Sequence, residues 1–266
     1  MTDYETILFE KIGRVGKITL NRPERLNAVN VRLGHELLDA LAQCEADGEI
    51  RCIVLGAAGR SFCAGDDLHG METPGFERPQ GPDGVKNYVH GENRWTVAVQ
   101  AMRRLPKPIV GSIRGHAYGA GFNLAMGTDI RVASETAKFA IPFVKRGMAT
   151  GVNQLHYHVG LGVTLEMAFT GEPIDADRAE RLGLVNQVVP DEQLEEATMT
   201  FAEQLAGGPT QSIGLTKAAI YKGWGKDLDT TFDYQAVAQA FAGQTQDREE
   251  GRKAFLEKRD PEFKGR

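Results

Sequence analysis

The apolar run Pro108-Ile109-Val110-Gly111-Ser112-Ile113 leads straight into RGHAYGAGFNLAMGTDI (114–130), a loop of small residues out of which a helix starts. Side chains are pared back at Gly115, Ala117, Gly119, Ala120 and Gly121. A strand that delivers the chain into such a loop lets peptide N–H groups approach a ligand closely. The helix opening there adds unpaired N–H groups and the positive end of its dipole. A second segment repeats the device. Cys52-Ile53-Val54-Leu55 reads as a buried strand and enters GAAGRSFCAGDDLHGM (56–71). Two N–H groups from such turns, converging on one oxygen, would stabilise negative charge developing on it. Asn123, a polar residue one turn inside the helix, marks the same region.

The rest of the chain supplies a frame for these turns. ETILFEKIG and RVGKITLN read as two strands around a Gly13-Arg14 turn. Asn30 is placed to cap a helix with Leu33, Leu37, Leu38 and Leu41 on one face. Residues 72–87, ETPGFERPQGPDGVKN, read as a mobile loop, and a helix is expected over about 88–104. A strand is expected at 130–133. Beyond 160 the pattern turns mostly helical, with Leu194, Ala197, Phe201 and Leu205 on one stripe and further helices over 211–222, 227–242 and 245–257. Strand–helix units followed by helices alone indicate an α/β core with a helical C-terminal part.

Composition excludes more than it selects. Thirty-one basic against 36 acidic residues give a formal charge of −5, and no basic block suits a nucleic acid. Cys44, Cys52 and Cys63 are odd in number and lack CxxC spacing, so inert thiols in a reducing, cytoplasmic compartment are expected rather than disulfides or zinc. No leader pattern and no run of ~18 apolar residues is visible, so no membrane span is expected. His156 and His158 sit two apart on a helix and face different ways, so no metal site is expected. GAGFNL begins like a dinucleotide fingerprint but carries Leu124 where its third glycine belongs. GSIRG has its serine one place early for a nucleophile elbow.

Taken in order, NRPERLNAV (21–29), SFCAGDDL (61–68), KPIVGSIRGHAYGAGFNLAMGTDIRVAS (107–134), AKFAIP (137–142), GEPIDADRAERLGLVNQVV (171–189) and EGRKAFLEKRDPEF (250–263) resemble the crotonase superfamily, also called the enoyl-CoA hydratase/isomerase family. The resemblance covers nearly the whole chain. It implies an α/β fold, a spiral of ββα units (1–195) with a C-terminal helical trimerisation region (196–266) belonging to the same functional unit. It implies a homotrimer or a hexamer of two trimers. The substrate would be an acyl-CoA thioester, and coenzyme A would enter as part of that substrate, with no separate cofactor. By motif position, the backbone N–H groups of Asp66 and Ala120 would form the oxyanion hole. Arg25, Leu26, Ala28, Ala64 and Leu68 would lie against CoA. Lys258 would reach a CoA phosphate, often across a subunit boundary.

The chain departs from the family's hydratases at two points. Asn123 stands where the first catalytic glutamate belongs, and Phe143, also at the substrate, where the second does. An amide orients water but cannot take a proton at neutral pH, and phenylalanine does neither. General base catalysis contributes ~10²–10⁴-fold, so water addition by the usual route should be crippled. Asp66 sets a carboxylate beside the hole. With His69, Tyr118, Lys145, Arg146 and Asn153 it makes up the candidates for a replacement acid or base. His116 is expected to pack in its turn, and Asp67 and Asp129 to be structural. Enolate chemistry of another kind (decarboxylation, isomerisation, thioester or C–C hydrolysis) and a catalytically silent CoA-binding scaffold stay open as alternatives to hydration.

Overall fold

The computed structural model describes residues 3–68, 94–149 and 155–266. β1 (Ile7–Ile12) and β2 (Val15–Leu20) form an antiparallel hairpin closed at Gly13, whose φ of +57° suits glycine. β2 then pairs in parallel with β3 (Cys52–Ala57), and β3 with β4 (Ile109–Ile113). β6 (Ile130–Ser134) and β9 (Gln187–Val189) extend the sheet, giving the order β1-β2-β3-β4-β6-β9. A smaller sheet holds β5 (His116–Tyr118), β7 (Lys138–Ala140) and β8 (Ile174–Asp175) in the order β5-β7-β8.

Alternation along the strands builds two cores. All four residues Cys52–Leu55 are buried, because β3 is covered on both faces. Ile53 and Leu55 face the larger core with α1 (Val31–Ala46), α2 (Arg94–Arg104) and α3 (Ala120–Gly127). Cys52 and Val54 face a smaller core completed by Val15, Val110 and Val132. Asn30 caps α1 as expected, its side-chain oxygen accepting from the Leu33 N–H at 2.8 Å. Leu33, Leu37 and Leu41 are buried, each stabilising the packing by about 1.5–3 kcal/mol. All three cysteines are free and buried, and burial pushes each thiol up to about 12, so they are inert.

The remaining helices are α4 (Leu155–Thr170), α5 (Ala176–Arg181), α6 (Leu194–Gly207), α7 (Thr210–Gly223), α8 (Leu228–Ala242) and α9 (Gln246–Glu257). One expectation needs correcting. The buried stripe of α6 is Leu194, Thr198, Ala202 and Ala206, while Ala197, Phe201 and Leu205 are only half-buried. α6 lies on the sheet face over β3, β4 and β6, where small residues allow close approach and large ones are displaced to the flanks. The expected loop 72–87 and the first part of the helix expected at 88–104 lie outside the described residues. No helix among the described residues is long and apolar enough to cross a membrane.

Candidate active site

The two small-residue turns meet. Cys63 donates from its backbone N–H to the His116 carbonyl at 2.8 Å, and the Tyr118 N–H donates back to the Cys63 carbonyl at 3.0 Å. Their closeness depends on Gly121, where a Cβ would stand 2.2 Å from the Cys63 carbonyl oxygen and 2.7 Å from its Cβ. Gly119 answers a different need. At φ +54° and ψ −114° it turns the chain from β5 into α3, a conformation that side chains oppose, and its N–H is fixed on the Ala140 carbonyl at 3.0 Å. One glycine is there for packing and the other for the turn that aims a peptide.

That turn leaves Ala120 as the first residue of α3, with its N–H at the helix's positive end. Facing it, Gly65 at φ +116° presents the next peptide, and a Cβ on Gly65 would lie 3.9 Å from the Ala120 nitrogen. Among the described residues neither the Asp66 nor the Ala120 N–H donates to another residue's backbone carbonyl. The arrangement has the form of an oxyanion hole: two main-chain donors from adjoining turns, one reinforced by a helix dipole.

A third segment seals one side. The Ala64 N–H donates to the Leu26 carbonyl at 3.0 Å, the Val29 N–H to the Gly65 carbonyl at 2.8 Å, and the Asp67 N–H to the Val29 carbonyl at 2.9 Å. Leu26 and the buried Asn27 both take left-handed φ, and the Asn27 side chain donates to the carbonyls of Ala58 and Ser61. Arg22 pairs with Asp67 at 2.8 Å. Arg25, Leu26, Ala28 and Ala64 are thereby gathered along one lip, with Leu68 exposed beyond them.

Asp66 is half-buried, and its carboxyl accepts from the Trp95 indole N–H at 2.8 Å. Burial pushes the carboxyl's pKa up; the indole, the residue's own backbone N–H and the charge of Arg146 each pull the other way without prevailing. The Phe143 ring closes over the turn, within 3.7 Å of where a Gly119 Cβ would be. Asn123 is fully buried. Its side-chain N–H₂ donates to the Gly119 carbonyl at 3.0 Å, and its side-chain oxygen has no partner among the described residues.

Other candidates are placed elsewhere. Tyr118 and His116 share the face of β5 opposite the buried Ala117, stacked edge-on at 4.9 Å, with His116 bonded to the Ser61 hydroxyl. Burial raises the Tyr118 phenol and lowers the His116 imidazole. Lys145 is tied to Glu172 at 2.7 Å. Asp129 is structural, held by Lys217, Tyr221 and the Ile109 N–H, as Asp67 is by Arg22. Lys258 ends α9 in a left-handed, exposed cap. His69 and Asn153 lie outside the described residues. Trp95 was not foreseen as a partner of Asp66; an indole opposite a distant carboxylate leaves no local pattern.

A largely parallel α/β sheet thus brings two glycine turns together, one of them opening a helix, with the Asp66 and Ala120 N–H groups left unbonded to other backbone carbonyls among the described residues. The profile described as enoyl-CoA hydratase/isomerase matches residues 10–266. A 1,2-epoxyphenylacetyl-CoA isomerase of Escherichia coli is 38% identical, covering 98% of this chain and 99% of the relative. A short-chain-enoyl-CoA hydratase of Clostridium acetobutylicum is 32% identical, over 99% of this chain and all 100% of its own. The crystal structure of an enoyl-CoA hydratase from Bacillus anthracis superposes with a TM-score of 0.89 at 31% identity, covering 98% of this chain and 100% of that one. The chain belongs to the enoyl-CoA hydratase/isomerase family of the crotonase superfamily.

Proposed function

We propose that the protein is an acyl-CoA isomerase that moves a proton along an enoyl thioester, with Asp66 as its acid and base. The observation that carries this reading is the Asp66 carboxyl, half-buried beside the two proposed hole donors and held by Trp95; the family resemblance, which sets Asn123 and Phe143 at the positions of the hydratase glutamates, supports it. Water addition needs one group to activate water and another to deliver a proton. A 1,3-proton shift needs one carboxyl that takes a proton and returns it.

The thioester oxygen enters between the Asp66 and Ala120 N–H groups. The Asp66 carboxylate removes a proton from C2 of a 3-enoyl thioester. Negative charge then leaves Asp66 and appears on the thioester oxygen, so the buried site never holds two anions. Burial favours the neutral, protonated Asp66, which makes its carboxylate a stronger base. The same carboxylic acid returns the proton at C4, the double bond now lies between C2 and C3, and no other reactant is consumed.

Coenzyme A is proposed to lie along Arg25, Leu26, Ala28, Ala64 and Leu68, with Phe143 against the acyl group. Large apolar side chains stand exposed on the outer helices (Leu161, Phe169, Ile220, Phe232 and Phe255 are each more than half exposed), which supports a homotrimer or a hexamer in which Lys258 reaches a neighbour's CoA. The deciding experiment offers 3-hexenoyl-CoA and crotonyl-CoA in parallel, following formation and loss of the conjugated thioester. Isomerisation without hydration, lowered 10²–10⁴-fold in Asp66→Asn, is expected. Robust hydration of crotonyl-CoA with no isomerisation would overturn the reading, and CoA binding without any turnover would make the chain a scaffold.

A further inference from the structure

We infer that Asn123 is a positioning residue that strengthens the oxyanion hole from behind, its side-chain N–H polarising the Gly119–Ala120 peptide whose N–H faces the thioester oxygen. The inference rests on the enolate reading and adds a role for a residue that reading leaves idle.

The geometry is specific. The Gly119 carbonyl oxygen accepts from the Asn123 backbone N–H at 3.1 Å, the ordinary first bond of a helix, and also from the Asn123 side-chain N–H₂ at 3.0 Å. Carbonyl and amide of one peptide share a resonance system. Each bond accepted at the Gly119 oxygen draws electrons toward it and leaves the Ala120 N–H a better donor, the mutual strengthening expected of hydrogen bonds in series. The orientation of the amide follows from the same contact, since a reversed amide would set its oxygen against the Gly119 oxygen.

Asn123 also carries a cost that a packing residue would not. It is fully buried, in a helix whose other residues (Ala120, Gly121, Phe122, Leu124, Ala125, Met126 and Gly127) are all apolar or glycine. Its side-chain oxygen has no partner among the described residues, and a buried, unpaired acceptor is destabilising. An apolar side chain would avoid that penalty. What it could not do is donate to the Gly119 carbonyl.

The test uses a saturated thioester, [1-13C]butyryl-CoA, which can neither hydrate nor isomerise. Two signals are read in wild type, Asn123→Ala and Asn123→Ser: the infrared stretch of the bound labelled carbonyl, and exchange of the α-protons in D2O. Serine in a helix donates to the carbonyl four residues back, here the Gly119 oxygen, and is the rescuing variant. Removing a hole donor costs roughly 10²–10³ in rate, and cooperative strengthening is ~10–30% of a bond, so Asn123→Ala is expected to slow exchange roughly 2- to 8-fold at unchanged KM. Its carbonyl stretch should move part of the way back toward that of free thioester, and Asn123→Ser should restore both. Should Asn123→Ala fail to fold, the donorless and bulkier Asn123→Leu takes its place. A wild-type carbonyl shift that persists unchanged in the donorless variant overturns the role of Asn123 and leaves the hole intact. Wild type that binds butyryl-CoA with neither shift nor exchange overturns the enolate reading, and this inference with it.

Discussion

The proposed hole depends on α3 beginning almost in contact with the 63–66 turn, and Gly121→Ala tests that contact with one methyl group. The new Cβ would stand 2.2 Å from the Cys63 carbonyl oxygen and 2.8 Å from its carbonyl carbon. Ordinary carbon contacts are ~3.5–4.0 Å, so the turns must part by about 1 Å, and backbone rather than a flexible side chain has to move. Parting them stretches the bonds between Cys63 and residues 116 and 118, each worth about 1 kcal/mol net. Overpacking of this kind costs ~1–3 kcal/mol, and the helix preference of alanine over glycine returns at most ~1 kcal/mol. A net loss of about 1–3 kcal/mol should lower Tm by roughly 2–10 °C. The larger effect should be on rate, because a donor misplaced by ~1 Å can cost ~10²-fold. Thermal unfolding and α-proton exchange with butyryl-CoA measure the two separately. Gly48→Ala, where a Cβ meets nothing within 4 Å, serves as the matched control. A Gly121→Ala protein with wild-type Tm and wild-type exchange would refute the reasoning, because the turns would then not be in the contact from which the hole is built.

Two further outcomes follow from titrating groups. The Asp66 pKa lies above its ordinary 3.8 in the fold, so as pH rises from there the unfolded chain ionises first and stability is lost until the folded carboxyl ionises too. Asp66→Asn should therefore raise Tm at neutral pH, with the gain fading as pH falls toward 3.8, and a Tm gain that grows in acid would contradict this sign. His158, its ring 4.6 Å from Trp224, is lowered from 6.5 to about 4 by burial and by the charges of Arg131 and Arg103. It leaves stability unaffected above 6.5, and costs progressively more as pH drops through that window, at most about 3 kcal/mol. His158→Phe should flatten that part of the acid limb in chemical-denaturation curves, and an unchanged limb would assign the loss to other groups.

The parts of the fold legible in the sequence are those whose reasons are local. Asn30 caps α1 with its own side chain, and the leucines behind it repeat at helical spacing. β3 and β4 show as apolar runs because both their faces are covered. β5, β7 and β8 do not show, since strands of two or three residues are held by partners far along the chain. His116–Tyr118 therefore reads as loop. The stripe of α6 misleads for a related reason: closeness to the sheet selects Thr198 and Ala202 over Phe201, and nothing local reports that closeness. At the site, the glycines disclose where main-chain donors can lie, and they divide on inspection into a packing glycine, Gly121, and a turning glycine, Gly119. Trp95 opposite Asp66, and the bond from Asn123 to the Gly119 carbonyl, are meetings in space that no spacing encodes.

Both proposed donors of the hole belong to the main chain, so the side chains at Asp66 and Ala120 can change while the donors stay, provided the glycines that set the two turns remain. A protein built this way can exchange its proton-handling carboxyl for another side chain without losing the main-chain donors. Reaction type becomes the heritable variable, while charge stabilisation is inherited with the backbone.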